Sequence, residues 1–157
     1  MGHLVRQCHI AKILQDRGAE ITFFIPDYPP AESWLDRCQF PRKILNDPLT
    51  EKETGPLDII ILDIQDTSSA FIKKIKRDKK TVVSFEDCGE GRNHVDLLID
   101  CNLEEKNSVD MSAQTLFGPD YSVLAPEFEA LHAKKRQFNR PIDSVLITLG
   151  GTDPHSL

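Results

Sequence analysis

Five short apolar runs, at residues 21–25, 57–62, 81–85, 95–99 and 145–149, recur along the chain. They are rich in Ile, Val, Leu and Phe and lack strict alternation, which predicts strands buried on both faces of a parallel sheet. Helix-like stretches lie between them. Leu4, Cys8, Ala11 and Leu14 recur at helical spacing, and Gly18 stands where a left-handed C′ residue belongs. Thr67 or Ser68 is placed to cap a helix carrying Phe71, Ile72 and Ile75, with Lys and Arg gathered at its far end. A third helix is predicted over about 126–136, with Phe128 and Leu131 on one face. Strand and helix in alternation predict an α/β fold, a Rossmann-like parallel sheet with flanking helices and right-handed crossovers.

The stretch 26–56 is broken by prolines at 26, 29, 30, 41, 48 and 56. A short helix over 31–38 and a short strand over 42–45 are predicted there. A sheet of this kind normally opens on a strand, whereas the first element here reads as a helix. At the other end, Leu149-Gly150-Gly151-Thr152-Asp153-Pro154 reads as a strand running into a glycine turn, the way a nucleotide-binding half begins. The expected organisation is a Rossmann-like domain over 1–141, short of its first strand, with 142–157 opening a second, nucleotide-binding domain. Without that first strand, an unpaired edge is expected between its two inner neighbours, or a strand supplied by a partner.

Composition narrows the classes. The chain has 157 residues, a net charge of −6, 39% hydrophobic and 28% charged residues, which is the profile of a globular domain. The acidity argues against nucleic acid or an anionic membrane as the main partner, since both demand a basic surface. No apolar stretch of signal or anchor length is visible. Cys8, Cys38, Cys88 and Cys101 are widely spaced without a CxxC pair, so neither a zinc site nor a disulfide scaffold is expected. Reduced cysteines suit the cytoplasm.

Candidate chemistry gathers at strand ends and at one helix start. His3 lies at a helix N-terminus, whose dipole disfavours the protonated ring, so it is a candidate base. Taken alone it reads more readily as a surface histidine beside a start methionine. Gly150-Gly151-Thr152-Asp153 lets backbone N–H groups approach a phosphate, or is a plain turn; it is neither a P-loop nor a full dinucleotide fingerprint. Asp63 ends one strand and Glu86-Asp87 another. Ligands of open α/β sheets sit beyond such carboxyl ends, where acids bind sugar hydroxyls or simply cap the next helix. Asn102 has similar standing. The basic run from Lys73 to Lys80 lacks interleaved aromatics and reads as a solvated face.

The order of short motifs resembles one family. Gly2-His3-Leu4-Val5-Arg6, Ala11-Lys12-Ile13-Leu14 and Arg17-Gly18-Ala19-Glu20-Ile21-Thr22-Phe23 come first. Leu57-Asp58-Ile59-Ile60-Ile61-Leu62-Asp63, Ser84-Phe85-Glu86-Asp87 and His94-Val95-Asp96-Leu97-Leu98-Ile99 with Asn102 follow. Phe117-Gly118-Pro119-Asp120-Tyr121 and Gly150-Gly151-Thr152-Asp153-Pro154 complete the series. This series is similar to the nucleotide-sugar hydrolase of pseudaminic acid synthesis and the related spore coat polysaccharide biosynthesis proteins. Their fold resembles GT-B glycosyltransferases. The resemblance implies one lobe of a two-lobed enzyme that releases nucleoside diphosphate from a UDP-linked deoxy-diacetamido sugar, without metal or cofactor. It implies His3 as the catalytic base, and Arg6, Asp63, Asp87, Asn102, Tyr121, Gly150, Gly151 and Asp153 as substrate-binding residues. The chain departs from the family at Ile64 and Gln65, where His and Tyr stand, at Glu86 in place of Asp, and at Asp100 in place of Asn. The alternatives are a GT-B glycosyltransferase, or an inactive half needing a partner chain or a further C-terminal domain to complete the cleft.

Overall fold

The computed structural model describes residues 2–46, 54, 57–76, 80–102, 114–135, 141 and 144–145. The chain divides into two compact units, Thr22–Ser122 and Met1–Ile21 with Val123–Leu157. It has a mixed α/β, Rossmann-like fold in which every described strand pair is parallel. Among the described residues no helix is long and apolar enough to cross a membrane.

In the larger unit, β1 (Phe23–Ile25) leads through α2 (Pro29–Cys38) to β2 (Arg42–Ile44), which lies beside it. The chain then enters β3 (Ile59–Leu62), and α3 (Ser69–Ile75) connects it to β4 (Thr81–Phe85). A 3-10 turn over Glu90–His94 leads to β5 (Leu97–Asp100), and β6 (Gln114–Phe117) ends the sheet. The order is β3-β4-β5-β6 in one sheet and β1-β2 in another. Thus β1 to β2 steps outward on one side and β3 to β6 on the other. β1 and β3 are each paired on one flank only among the described residues.

The core of this unit is aliphatic, as continuous apolar strands require. Ile60, Leu62, Ile72, Ile75, Val82, Val95 and Leu98 form one buried cluster, and Phe24 of β1 and Leu45, just beyond β2, pack against it. Both sheets therefore share a core, although no ladder joins them among the described residues. The Ser68 hydroxyl caps α3 by accepting from the N–H of Phe71 at 3.2 Å. At its other end the Lys76 ammonium bonds the His94 carbonyl at 2.9 Å and the Asp96 carboxylate at 2.8 Å. Asp96 in turn accepts from the N–H of Val82 at 2.8 Å, so one carboxylate ties helix end to strand start.

The smaller unit contains α1 (Gly2–Asp16) and α4 (Glu127–His132). α1 closes with a Schellman pair: Gly18 donates to the Gln15 carbonyl and Ala19 to the Leu14 carbonyl. Gly18 takes a φ of +92°, as its predicted C′ role demands. α2 closes in the same way, through Gln39 to Asp36 and Phe40 to Leu35, but with a non-glycine, Gln39, at φ 59°.

The predicted strands 57–62, 81–85 and 95–99 are found within one or two residues of their expected bounds; 21–25 shortens to Phe23–Ile25. β6 has no counterpart among the expected elements, because Gln114 and Thr115 interrupt its apolar pattern. Of the run 145–149, all but Val145 lie outside the described residues, as do Gly150, Gly151 and Asp153.

Candidate functional site

The four parallel strands β3 to β6 deliver their carboxyl ends to one edge of the sheet. Asp63 follows β3, Glu86 and Asp87 follow β4, Asp100 closes β5 before Cys101 and Asn102, and Tyr121 ends a 3-10 turn after β6. This edge is where open α/β sheets place ligands.

Glu86 is the conformational anomaly of the edge. Its φ of 50° lies in the left-handed region, which a non-glycine residue enters at a cost of about 1–2 kcal/mol. The ladder itself imposes the geometry: the N–H of Glu86 still bonds the Ile99 carbonyl at 2.9 Å, while the next residue has turned into the protein. The half-buried Glu86 side chain stays at the edge. Its Oε1 accepts from the Asn102 amide at 3.0 Å and from the Cys101 thiol at 2.7 Å. Asn102 is fixed from below, since its N–H bonds the buried Asp100 carboxylate at 2.9 Å. A carboxylate and a carboxamide thus stand side by side at the ends of neighbouring strands. Such a pair presents acceptors and donors to hydroxyl groups.

Asp87 points the other way and is completely buried. Its Oδ1 accepts from the N–H of Thr67 at 3.1 Å and of Gly89 at 2.8 Å; Oδ2 accepts from the Thr67 hydroxyl and, at 3.4 Å, from Ser84. The carboxylate therefore ties the entry to α3 onto the end of β4. Gly89 and Gly91 let the chain pass close enough: a Cβ on Gly91 would meet Ile72 Cγ1 at 2.7 Å and the Ser68 carbonyl at 3.0 Å. The Asp87 bonds are all internal to the fold, which is the helix-entry role that the sequence offers beside substrate binding. Glu86, paired with Asp87 in the sequence as a strand-end acid but absent from the contacts that the resemblance implies, is half-buried at the edge. Nothing in a Glu-Asp pair at a strand end tells which acid turns inward; only the left-handed backbone of Glu86 decides it.

The remaining sequence candidates fall as follows. Asp63 is half-buried and Tyr121 exposed, both at the carboxyl edge of the larger unit with Asn102. His3 and Arg6 belong to the first two turns of α1 in the smaller unit. The Arg6 guanidinium donates to His3 Nδ1 at 3.2 Å. Among the described residues no group of three or more His, Cys, Asp or Glu side chains is arranged to hold a metal ion. No family model, no curated protein and no solved structure matches the chain.

Proposed function

We propose that this chain binds a nucleotide-activated sugar and belongs to an enzyme that hydrolyses it, releasing nucleoside diphosphate in surface-glycan synthesis. The observation that carries the reading is the Glu86–Asn102 pair, held beyond the carboxyl ends of β4 and β5 by a left-handed turn. Strain of this kind persists where the surroundings impose it, and it clusters at ligand sites. The order of motifs along the chain supports the sugar-nucleotide class. In this reading the Glu86 carboxylate accepts from sugar hydroxyls, the Asn102 amide donates to them, and Asp63 and Tyr121 extend the same edge.

The chemistry of the proposal is displacement at the anomeric carbon. His3 takes a proton from the attacking water, the anomeric C–O bond breaks, and the diphosphate departs with the bonding electrons. Nδ1 is then the basic nitrogen, so Arg6, which donates to it at 3.2 Å, has to turn away before the proton is taken. Gly150 and Gly151, with Asp153, are assigned to the diphosphate from the order of motifs alone.

The test is a titration of the Asn102 side-chain amide resonance with UDP-linked diacetamido sugars. Saturable shifts are expected, with affinity falling about 10-fold in Glu86→Gln, or about 1.4 kcal/mol. No shift with any UDP-sugar would sink the binding reading. Release of UDP that requires an acceptor alcohol would replace hydrolysis by glycosyl transfer.

A further inference from the structure

The end of β5 holds Glu86 by its backbone and by its side chain. The ladder sets Phe85 beside Ile99, so the next residue of β4 stands level with the end of β5. There the Glu86 N–H donates to the Ile99 carbonyl at 2.9 Å, which anchors the backbone. Past β5 the chain turns at Cys101 and Asn102, because the buried Asp100 carboxylate accepts from the N–H of Asn102, two residues on. In an extended strand consecutive side chains point to opposite faces. The turn instead brings Cys101 and Asn102 to one carboxylate, and both donate to the same oxygen, Oε1.

The two donors differ in what they have to give. A carboxamide carries two N–H groups, so Asn102 can serve Glu86 with one and a ligand hydroxyl with the other. A thiol carries one proton, and Cys101 directs it to Glu86 across 2.7 Å. A thiol is a weak donor, but an ionised acceptor strengthens the bond. Cys88 supplies a contrast within the same turn. It is exposed, and its thiol reaches the backbone carbonyl of Glu86 at 3.8 Å, not the carboxylate.

We infer that Cys101 is a positioning residue, which locks the Glu86 carboxylate in the orientation that receives the sugar and acts on the ligand only through Glu86. A glutamate held at one oxygen by a single donor keeps much of its side-chain freedom, and ordering it then costs binding energy. A second donor on that oxygen removes the freedom before the ligand arrives. The identity of the ligand rests on the proposed function; the hold on Glu86 rests on the two hydrogen bonds alone.

The test has a ligand-free part and a ligand part, both on the chain of 157 residues. Without ligand, the Glu86 carboxyl carbon is titrated by NMR. Donors to the ionised form favour it, so Cys101→Ala is expected to move the midpoint to higher pH. Cys101→Ser, whose hydroxyl donates in the thiol's place, and Cys88→Ala are expected to leave it unmoved. With UDP-linked diacetamido sugars, read on the Asn102 amide, affinity is expected to fall about 5-fold in Cys101→Ala and to stay within about 2-fold in Cys101→Ser and Cys88→Ala. In a Glu86→Ala background, Cys101→Ala is expected to change affinity by less than about 2-fold. A midpoint that stays put in Cys101→Ala, or moves equally in Cys101→Ser or Cys88→Ala, would overturn the hold on Glu86 whether or not a sugar binds. A full loss of affinity retained in the Glu86→Ala background would overturn the action through Glu86 and make Cys101 a ligand contact. If no UDP-sugar binds the parent, the proposed function falls and takes the ligand with it, while the ligand-free midpoint still upholds or overturns the hold on Glu86.

Discussion

Glu86 and Asp87 leave β4 one residue apart, and their surroundings differ in kind. Asp87 is buried and gathers two backbone N–H groups and two hydroxyls from Thr67, Ser84 and Gly89. Glu86 sits at the sheet edge in a left-handed conformation, and its recorded side-chain partners are Asn102 and Cys101 from the neighbouring strand end. A strand end in an α/β sheet has two jobs, to start the next helix correctly and to face the ligand. On the proposed function the two are divided between adjacent carboxylates. The inner one satisfies donors that burial would otherwise strand; the outer one keeps its carboxylate where hydroxyls can reach it.

Removing the inner carboxylate gives the largest expected effect. Asp87→Ala leaves the Thr67 and Gly89 N–H groups buried without their acceptor. The expected loss is about 3–5 kcal/mol of unfolding free energy, as when one partner of a buried charged group is deleted. Urea denaturation measures it, and a loss under about 1 kcal/mol would break the contrast by showing that the tie is dispensable. Gly91→Ala attacks the same knot sterically, because its Cβ runs into Ile72 Cγ1 and the Ser68 carbonyl. About 1–3 kcal/mol is expected, the usual range for an inserted methyl in packed surroundings.

The outer carboxylate is expected to behave oppositely. Glu86→Gly relieves a left-handed residue, worth about 1 kcal/mol, and forfeits two acceptor bonds of comparable total value. Stability stays within about 1 kcal/mol of the parent while the Asn102 response to UDP-sugars weakens. Gln39 sharpens the comparison. It is the other left-handed non-glycine among the described residues, and the Schellman closure of α2 accounts for it in full. Gln39→Gly is expected to gain about 0.5–1 kcal/mol in thermal denaturation with ligand response unchanged. Equal ligand effects from both glycines would remove the case for a special role of Glu86.

Much of the fold was legible because parallel strands buried on both faces write themselves as apolar runs. Residues 81–85 form β4 without adjustment, and Gly18 closes α1 as its spacing requires. Ser68 is one of two candidate caps, and the structure shows why it prevails: Thr67 is held by Asp87 instead. What could not be read was long-range pairing. Gln114 and Thr115 carry no strand signal, yet β6 pairs with Leu97 to Asp100 through its backbone. The site suffers the same way. The sequence offers both acids as sugar-binding or helix-capping groups, and only the resemblance selects Asp87 as the contact. In the structure the choice is made by the φ of Glu86 and by Asn102 on the neighbouring strand end. The apolar run of β3 promises a central strand; among the described residues it lies at an edge.

Asp96 extends the comparison to the opposite end of β4 and gives the smallest effect. Partial desolvation pushes its carboxyl up. The Lys76 hydrogen bond, the Val82 N–H and the Lys76 charge outweigh that and hold it below its ordinary value of 3.8. A carboxylate depressed in the folded state contributes stability that is fully present above the unfolded value. That contribution is lost as pH falls through the lower, folded one. Unfolding free energy is therefore expected to decline below about pH 3.8, and Asp96→Asn to flatten that part of the profile. With side chains 34% and 39% exposed, solvent screening keeps the pair to about 0.5 kcal/mol. Urea titrations of parent and variant between about pH 5 and pH 2.5 measure the difference. An unchanged slope would mean that Asp96 titrates alike in the folded and unfolded chain, so that neither Lys76 nor the Val82 N–H favours its ionised form. The tie from α3 to β4 would then rest on hydrogen bonding that charge does not strengthen.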